Sequence, residues 1–388
     1  MHSSTVLRRF YDQVLDAPTR LRDGTHRTAT LGQTWRRFSP VARRAGITRI
    51  ADITGLDTLG IPVFTAIRPM GRSLSTQQGK GLTPEAARIS ALMESLETFT
   101  AEQARATVRG SYRALAKKRR VVDVRKLPRP RGRLDLDATW PWIEGWDLAR
   151  NEPVLVPLES VTLDTTFTRP PVFDISSNGL ASGNVLVEAI VHGLCEVLER
   201  DAEAAWRRSG GDRRLVLDTV DNPMIERITR TGARVFLWDL GGPIAAIGCA
   251  IVEDPNEIAW RPLGCYQGFG AHLVPEVAIA RALTEAAQTR LTYIAGGRDD
   301  FFPFDYERAT DPDLLRDMWD RLAAPCDDPV DARDLPRHET SGLGEDLDVL
   351  VGLAGESVIA VDLTLKQLGV PVAKVIVPGR ATDVEALG

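Results

Sequence analysis

Three separated segments of the chain place acidic side chains at helical spacing. They are Ser90, Glu94 and Glu97; Asn184, Glu188, Glu196, Glu199 and Arg200; and Arg281, Glu285 and Gln288. Residues three, four or seven apart share one helix face, so each series forms a stripe of carboxylates with a few amide, hydroxyl or guanidinium groups. If the stripes converge, they build an acidic pocket that only cations can neutralise. Hard oxygen donors suit magnesium, and magnesium brings phosphates with it, so the chemistry implied is that of several magnesium ions carrying a nucleotide.

A single carboxylate stripe on an amphipathic helix is most often its wet face. Around the second series Ile190, Val191, Leu194, Val197 and Leu198 cluster on one side, which fits a surface helix as well as a pocket wall. Three features favour the pocket. Like charges at i, i+3 or i, i+4 repel and weaken a helix unless a cation compensates, and few lysines intervene here. Small residues accompany each stripe (Ala87 and Ala91, Gly193 and Cys195, Ala282 and Ala286), leaving room for a ligand or another backbone. Glycine-bearing stretches at 73–81 and 177–183 precede two of the stripes, where backbone N–H groups and a helix N-terminus can meet phosphate oxygens. The usual nucleotide signatures fail. Gly79-Lys80-Gly81 lacks the following Ser or Thr of a P-loop, and Gly268-Phe269-Gly270 lacks the third glycine of a dinucleotide fingerprint.

The elements that must position these side chains can be read from the same sequence. Strands are expected at 47–53 and 61–67, in short pieces over 140–162, at 234–240 and 245–252 as a hairpin around Gly241-Gly242-Pro243, and late in the chain at 349–354, 357–362 and 370–377. The three stripe helices are expected from Thr83-Pro84-Glu85 to about Ala104, from near Val185, and from about Pro275 past Arg290. The first segment, to about Thr34, is polar with a turn at Asp23-Gly24. The stretch 121–133 reads as a connection, and 299–343 as loops and short helices. No repeat of solenoid period is evident.

The 388 residues are 43% hydrophobic, enough for a continuous core, and carry a formal charge of −5, which argues against nucleic-acid binding through bulk electrostatics. The one dense basic run, Lys117-Lys118-Arg119-Arg120, reads as a solvated helix end. Cys195, Cys249, Cys265 and Cys326 are scattered without metal-ligand spacing, and neither a signal peptide nor a membrane span is evident, so a cytoplasmic protein with reduced thiols is expected. Cys195 lies near His192 on one helix, but the glutamates around it make a half-buried core cysteine the better reading than a nucleophile.

The chain resembles the YcaO superfamily and, within it, the TfuA-associated branch. The matching residues are Gly46-Ile47-Thr48-Arg49, Thr54-Gly55-Leu56-Asp57, Gly60-Ile61-Pro62-Val63, Gln78-Gly79-Lys80-Gly81 and Ser90-Ala91-Leu92-Met93-Glu94. They continue in Ser177-Asn178-Gly179-Leu180-Ala181-Ser182-Gly183-Asn184, Glu188-Ala189, Glu196-Val197-Leu198-Glu199-Arg200-Asp201 and Arg281-Ala282-Leu283-Thr284-Glu285-Ala286-Ala287-Gln288. The resemblance implies an α/β (α+β) fold of the YcaO type, with mixed or antiparallel sheets packed with helices around a central ATP/magnesium site. The organisation implied is an N-terminal segment at 1–45, a catalytic domain at 46–379 and a tail at 380–388. By the same resemblance Glu94, Glu97, Glu196 and Glu199 are metal ligands, and Lys80, Ser90, Asn184, Glu188, Arg200, Arg281 and Glu285 contact the nucleotide.

The activity implied is ATP-dependent phosphorylation of a backbone amide oxygen in a peptide or protein. External sulfide, or another sulfur donor, would then give a thioamide, and a neighbouring Cys, Ser or Thr of the substrate an azoline. Thr98 stands where many relatives have arginine. Val377-Pro378-Gly379 and a polar tail replace the proline-alternating ending of many azoline-forming members, which turns the expectation toward thioamide formation. A separate TfuA-like protein is the expected partner for substrate capture or sulfur delivery, because the family region fills the chain. A homodimer is compatible with this reading, whereas nucleic-acid and membrane partners are not expected. A non-catalytic nucleotide-binding scaffold is the alternative of another class, and ATP hydrolysis in the presence of partner and peptide separates the two.

Overall fold

The structure is a computed structural model that describes residues 7–380 apart from 23, 130–132, 167–169 and 258–259. Asp23 of the expected turn and the tail from 381 lie outside the described residues. A helix, α1 (Leu31–Phe38), leads into a three-stranded antiparallel meander of β1 (Arg49–Asp52), β2 (Val63–Ile67) and β3 (Thr76–Lys80), followed by α2 (Pro84–Glu102). Next come β4 (Val108–Ser111), β5 (Thr139–Asp147), β6 (Glu152–Pro157), β7 (Leu180–Ser182) and α3 (Leu186–Ser209). A second meander of β8 (Ala233–Asp239), β9 (Ala245–Glu253) and β10 (Tyr266–His272) precedes α4 (Pro275–Ala295). The chain closes with α5 (Leu343–Ala354), β11 (Ile359–Asp362) and β12 (Val372–Ile376). The larger sheet runs β4-β5-β11-β12-β7 with β6 alongside β5, and its pairings are antiparallel. An α+β architecture with antiparallel sheets is therefore what the chain adopts.

Each stripe helix starts and stops for local reasons. Thr83 caps α2 by accepting from the Ala86 N–H at 3.2 Å, and Pro84 occupies its first turn, where a missing N–H is harmless. Gly210 and Gly296 end α3 and α4 in the left-handed conformation, at φ 64° and 58°. The helices then lie directly on strands. A Cβ at Gly79 of β3 would sit 1.9 Å from the Ala91 amide nitrogen, and one at Gly270 of β10 would sit 2.2 Å from the Ala278 carbonyl oxygen. Glycine on the strand and alanine on the helix are thus what let α2 touch the first meander and α4 the second. One apolar core surrounds α3 and joins it to β10, β12 and α5. A second packs α2 against the large sheet, and a third packs α4 against the second meander.

Three expectations are corrected. The residues 349–354, read as a strand, form the C-terminal half of α5. Leu343, Leu347, Leu350, Val351 and Ala354 are buried at helical period, which a window opening at 349 hides behind a short apolar run. The stretch 73–81, read as a glycine-bearing turn, contains strand β3, where Gly79 serves close packing. Helix α1, with a capping box between Thr30 and Gln33, begins within the polar first segment and runs beyond Thr34, where no helix was expected. The hairpin at Gly241-Gly242-Pro243 forms as expected, with φ of 77° and 114° at the two glycines. Among the described residues no helix is long and apolar enough to cross a membrane.

Candidate active site

The three stripes share one pattern: Ala87-x-x-x-Ala91-Leu92-x-Glu94-x-x-Glu97, Ala189-x-x-x-Gly193-Leu194-x-Glu196-x-x-Glu199 and Ala278-x-x-x-Ala282-Leu283-x-Glu285-x-x-Gln288. The small residues face a strand, as with Gly79 and Gly270, and a Cβ at Gly193 would sit 2.6 Å from the Gly179 carbonyl oxygen. Seating each helix in this way turns its glutamates toward a common centre. The pattern is spread too widely to register as a short-period repeat, and only the fold shows what it does.

The carboxylates lie near enough to act on one another's charge. Burial, then the charges of Glu94 and Glu196, push the Glu97 carboxyl well above its ordinary value. Burial raises Glu196 to about 8, with Arg200 opposing and Glu199 and Glu94 adding to the rise. Glu199 is likewise raised by burial, against Arg200 and with Glu285. Glu285 alone is lowered: Lys80 and Arg200 outweigh its burial, and it forms an ion pair with Lys80 and lies 3.7 Å from Arg200. Glu94 is open to solvent, yet enough protein surrounds it that desolvation still raises its carboxyl. A ring of groups around an accessible middle has that signature.

The remaining expected residues fall into place around this ring. Ser90 is half-buried and its Oγ accepts from the Lys80 N–H at 3.3 Å. Arg281 neighbours Lys80, Glu199 and Glu285, and its Nε is buried without a hydrogen-bond partner among the described residues. Arg200 reaches Glu203 at 2.9 Å and stands 3.8 Å from Glu199. Gln288 donates to the Gln78 carbonyl at 3.0 Å.

Asn184 and Glu188 are engaged by a segment in which no site residue was expected. The Thr28 N–H and hydroxyl donate to Glu188 at 2.8 and 2.7 Å, and Arg27 reaches the same carboxylate at 3.2 Å. Thr34 and Arg37 bond the side chain and carbonyl of Asn184. Arg27 also donates to His192 Nδ1 at 3.2 Å. Burial, then Arg281 and Arg27, hold that histidine well below its ordinary pKa, so it is the neutral acceptor this bond requires. The signal available in the sequence was Thr25-His26-Arg27, which directly follows the turn expected at Asp23-Gly24.

Sequence reading also missed Lys374, a lone lysine in the apolar strand β12. Burial lowers its pKa to about 8 against the pull of Glu196 and Glu97. Cys195 is 2% exposed in the core, and burial drives its thiol up to about 12, which removes it as a nucleophile.

The residues suit a hard, hydrated cation. Among the described residues no group of three or more His, Cys, Asp or Glu side chains is arranged to hold a metal ion by itself. Magnesium, however, keeps several waters and phosphate oxygens and takes only one or two carboxylates from the protein. Buried carboxylates that repel one another, beside an arginine nitrogen lacking an acceptor, are the two halves of such a site. Burial of Glu196, with Glu199 and Glu94 adding to it, has a measurable consequence in the metal-free chain. Glu196 binds its proton more tightly in the folded chain (about 8) than an ordinary glutamate does (4.5), so proton loss favours unfolding. The penalty is absent below about 4.5 and complete above about 8. The melting temperature of the metal-free chain should therefore fall between pH 5 and pH 8, by on the order of a few °C more than in Glu196→Gln. Equal slopes in the two proteins would refute the assigned cost of ionising the buried Glu196.

The chain belongs to the YcaO family. The family profile, YcaO cyclodehydratase, ATP- and Mg2+-binding, matches residues 78–381. It is similar to an uncharacterized protein of the tfuA 3′ region of Rhizobium leguminosarum bv. trifolii, with 36% identity over 381 residues that span 92% of this chain and 89% of that one. A protein of Methanothermobacter thermautotrophicus is 35% identical over 363 residues, spanning 89% and 93% of the two chains. Among solved structures, YcaO from Methanopyrus kandleri bound with AMPPCP and Mg2+ superposes with a TM-score of 0.75 at 27% identity, covering 95% of this chain and 96% of that one. A heterocyclase in complex with substrate and cofactor shares the fold, with a TM-score of 0.77 at 22% identity over 94% of this chain and 54% of that one.

Proposed function

We propose that the chain is an ATP-dependent enzyme that activates a backbone amide of a peptide or protein by phosphorylating its oxygen, and that the product is a thioamide. The observation that carries the activation step is the meeting of Glu94, Glu97, Glu196, Glu199 and Glu285 with Lys80, Arg200 and Arg281 around one accessible centre. The ATP and magnesium assignment is further supported by the nucleotide and ion in the Methanopyrus kandleri relative. The tfuA-region relative supports the thioamide product and a TfuA-like partner that captures substrate or delivers sulfur. The four free thiols fit work in the reducing cytoplasm.

An amide resists substitution because its oxygen is a poor leaving group. Addition of sulfide to the carbonyl carbon moves the π electrons onto oxygen. That oxygen takes the γ-phosphoryl group as ADP leaves, and the C–O bond then breaks with release of phosphate. Magnesium, when bound, offsets the negative charge of the triphosphate and of the transferring group. Glu94 and Glu97 from α2 and Glu196 and Glu199 from α3 would hold several such ions, one or two carboxylates to each. Lys80 and Arg281 meet phosphate oxygens, and Arg200 bridges Glu199 and Glu285 at 3.8 and 3.7 Å. Ser90 lies beside the backbone of Lys80, and Asn184 with Glu188 completes the wall nearest α1.

An azoline-forming cyclodehydratase is the second reading, favoured by the family profile and by the shared heterocyclase fold. One experiment separates them. Candidate peptides are incubated with the chain, ATP, magnesium, sulfide and the TfuA-like partner, and then weighed by mass spectrometry. The thioamide reading predicts a gain equal to the difference between sulfur and oxygen. Loss of one water would establish cyclodehydration instead, and ATP binding with no change in any peptide would leave a scaffold.

A further inference from the structure

Lys374 stands in the middle of β12, between Ala373 and Val375, in a strand whose other members are all buried and apolar. It pairs in register with Leu180 of β7 and Val361 of β11, so its place is fixed by the large sheet rather than by a loop. The residue is 3% exposed. Its ammonium donates to the Ser176 carbonyl and makes no ion pair among the described residues. An ammonium buried in this way is costly, and it can offer three N–H donors of which the carbonyl takes one.

The charges that act on it are Glu196 and Glu97, one from each of two stripes. The other cations are disposed differently. Lys80 is paired with Glu285, and Arg200 stands by Glu199, Glu203 and Glu285. Those cations gather around Glu285, where Arg281 also acts. Arg200 also acts on Glu196, but it is engaged by Glu199, Glu203 and Glu285, so Lys374 is the cation on the Glu97 and Glu196 side that has donors to spare and only a neutral acceptor.

We propose that Lys374 is a catalytic residue that binds the substrate amide oxygen and stabilises the negative charge that develops on it. This rests on the amide-activation reading above. As the nucleophile adds to the carbonyl carbon and the π electrons pass to oxygen, Lys374 donates an N–H to that oxyanion and keeps its proton. The oxygen then attacks the γ-phosphorus, the bond from phosphorus to the β,γ-bridging oxygen breaks, and ADP departs. Placed in this way, Lys374 serves the amide, while Lys80 and Arg281 serve the nucleotide.

The test uses the full-length chain as Lys374→Gln and Lys374→Arg, with a peptide first found to be converted by the wild type. Lys374→Gln should bind magnesium with AMPPCP within about threefold of wild type while kcat for peptide conversion falls by on the order of 10²–10³-fold, the cost of losing one oxyanion donor. Lys374→Arg, which restores a cation, should recover part of the loss. Unchanged turnover in Lys374→Gln would overturn the assignment, and so would a loss of AMPPCP affinity in step with turnover, since a mere counter-charge to the carboxylates would act on metal binding. A wild-type chain that binds AMPPCP but converts no peptide would instead refute the amide-activation reading and this proposal with it. Conversion by wild type with an unimpaired Lys374→Gln would refute Lys374 alone.

Discussion

Glu199→Gln should lower peptide-dependent ATP turnover by on the order of 10³-fold or more while leaving the fold intact. Glu199 is 2% exposed, accepts from the Ala271 N–H at 2.8 Å and lies within reach of Arg200. Glutamine keeps the shape and can still accept from Ala271, so β10 and α3 stay joined. What disappears is one unit of negative charge at the centre of the cluster, where desolvation and Glu285 already hold the carboxyl above its ordinary value. Removing that repulsion should leave the metal-free protein at least as stable as the wild type, so a loss of activity with an equal or higher melting temperature is the combined signature of a metal ligand. Glu94→Gln should behave in the same way. ADP release measured beside thermal melting checks both, and wild-type rates in either variant would count against the metal assignment.

The largest effect on stability should come from Glu102→Gln, at about 3–5 kcal/mol of destabilisation. Glu102 ends the stripe helix α2 and meets Arg68 through two bonds of 2.6 and 2.7 Å, each residue 1% exposed. The same carboxylate accepts from the Arg72 and Ser73 N–H groups at 3.0 and 3.1 Å and from the Ser73 hydroxyl. It therefore ties α2 to the turn between β2 and β3, the strand that delivers Lys80. Glutamine leaves a buried guanidinium without a counter-charge, which is the costly way to break such a pair. The double replacement Arg68→Met with Glu102→Leu removes both charges and should recover most of the loss. Urea unfolding of the three proteins tests this, and a double variant no better than Glu102→Gln would show that the pairing is not what the site needs.

Much of the candidate site was legible because helical spacing is local. Glu94 with Glu97, and Glu196 with Glu199, declare their shared face within one turn, and Thr83-Pro84 marks where the first stripe helix begins. The first two strands of each meander were legible for a similar reason, since β-branched runs broken by glycine and proline need no tertiary information, whereas the glycine-bearing third strands β3 and β10 were not. What could not be read depends on contacts between distant parts of the chain. Nothing near Glu188 announces that Thr28 and Arg27 will fill its hydrogen bonds, and nothing near Glu102 announces Arg68. Lys374 could have been singled out as the lone charge in an apolar strand, but its relation to Glu97 and Glu196 exists only once β12 lies against α2 and α3. Helix α5 was misread because six apolar-rich residues carry no period long enough to separate strand from helix.

The account rests on the stripes of α2, α3 and α4 surrounding one metal-bound triphosphate. The most direct measurement is the anomalous diffraction of a crystal grown with AMPPCP and manganese in place of magnesium. The predicted result is manganese at octahedral coordination distances of about 2.0–2.4 Å from oxygens of Glu94, Glu97, Glu196 or Glu199, with the γ-phosphonate oxygens completing the shell. Nucleotide bound elsewhere, or bound with no manganese touching any of those four carboxylates, would contradict it.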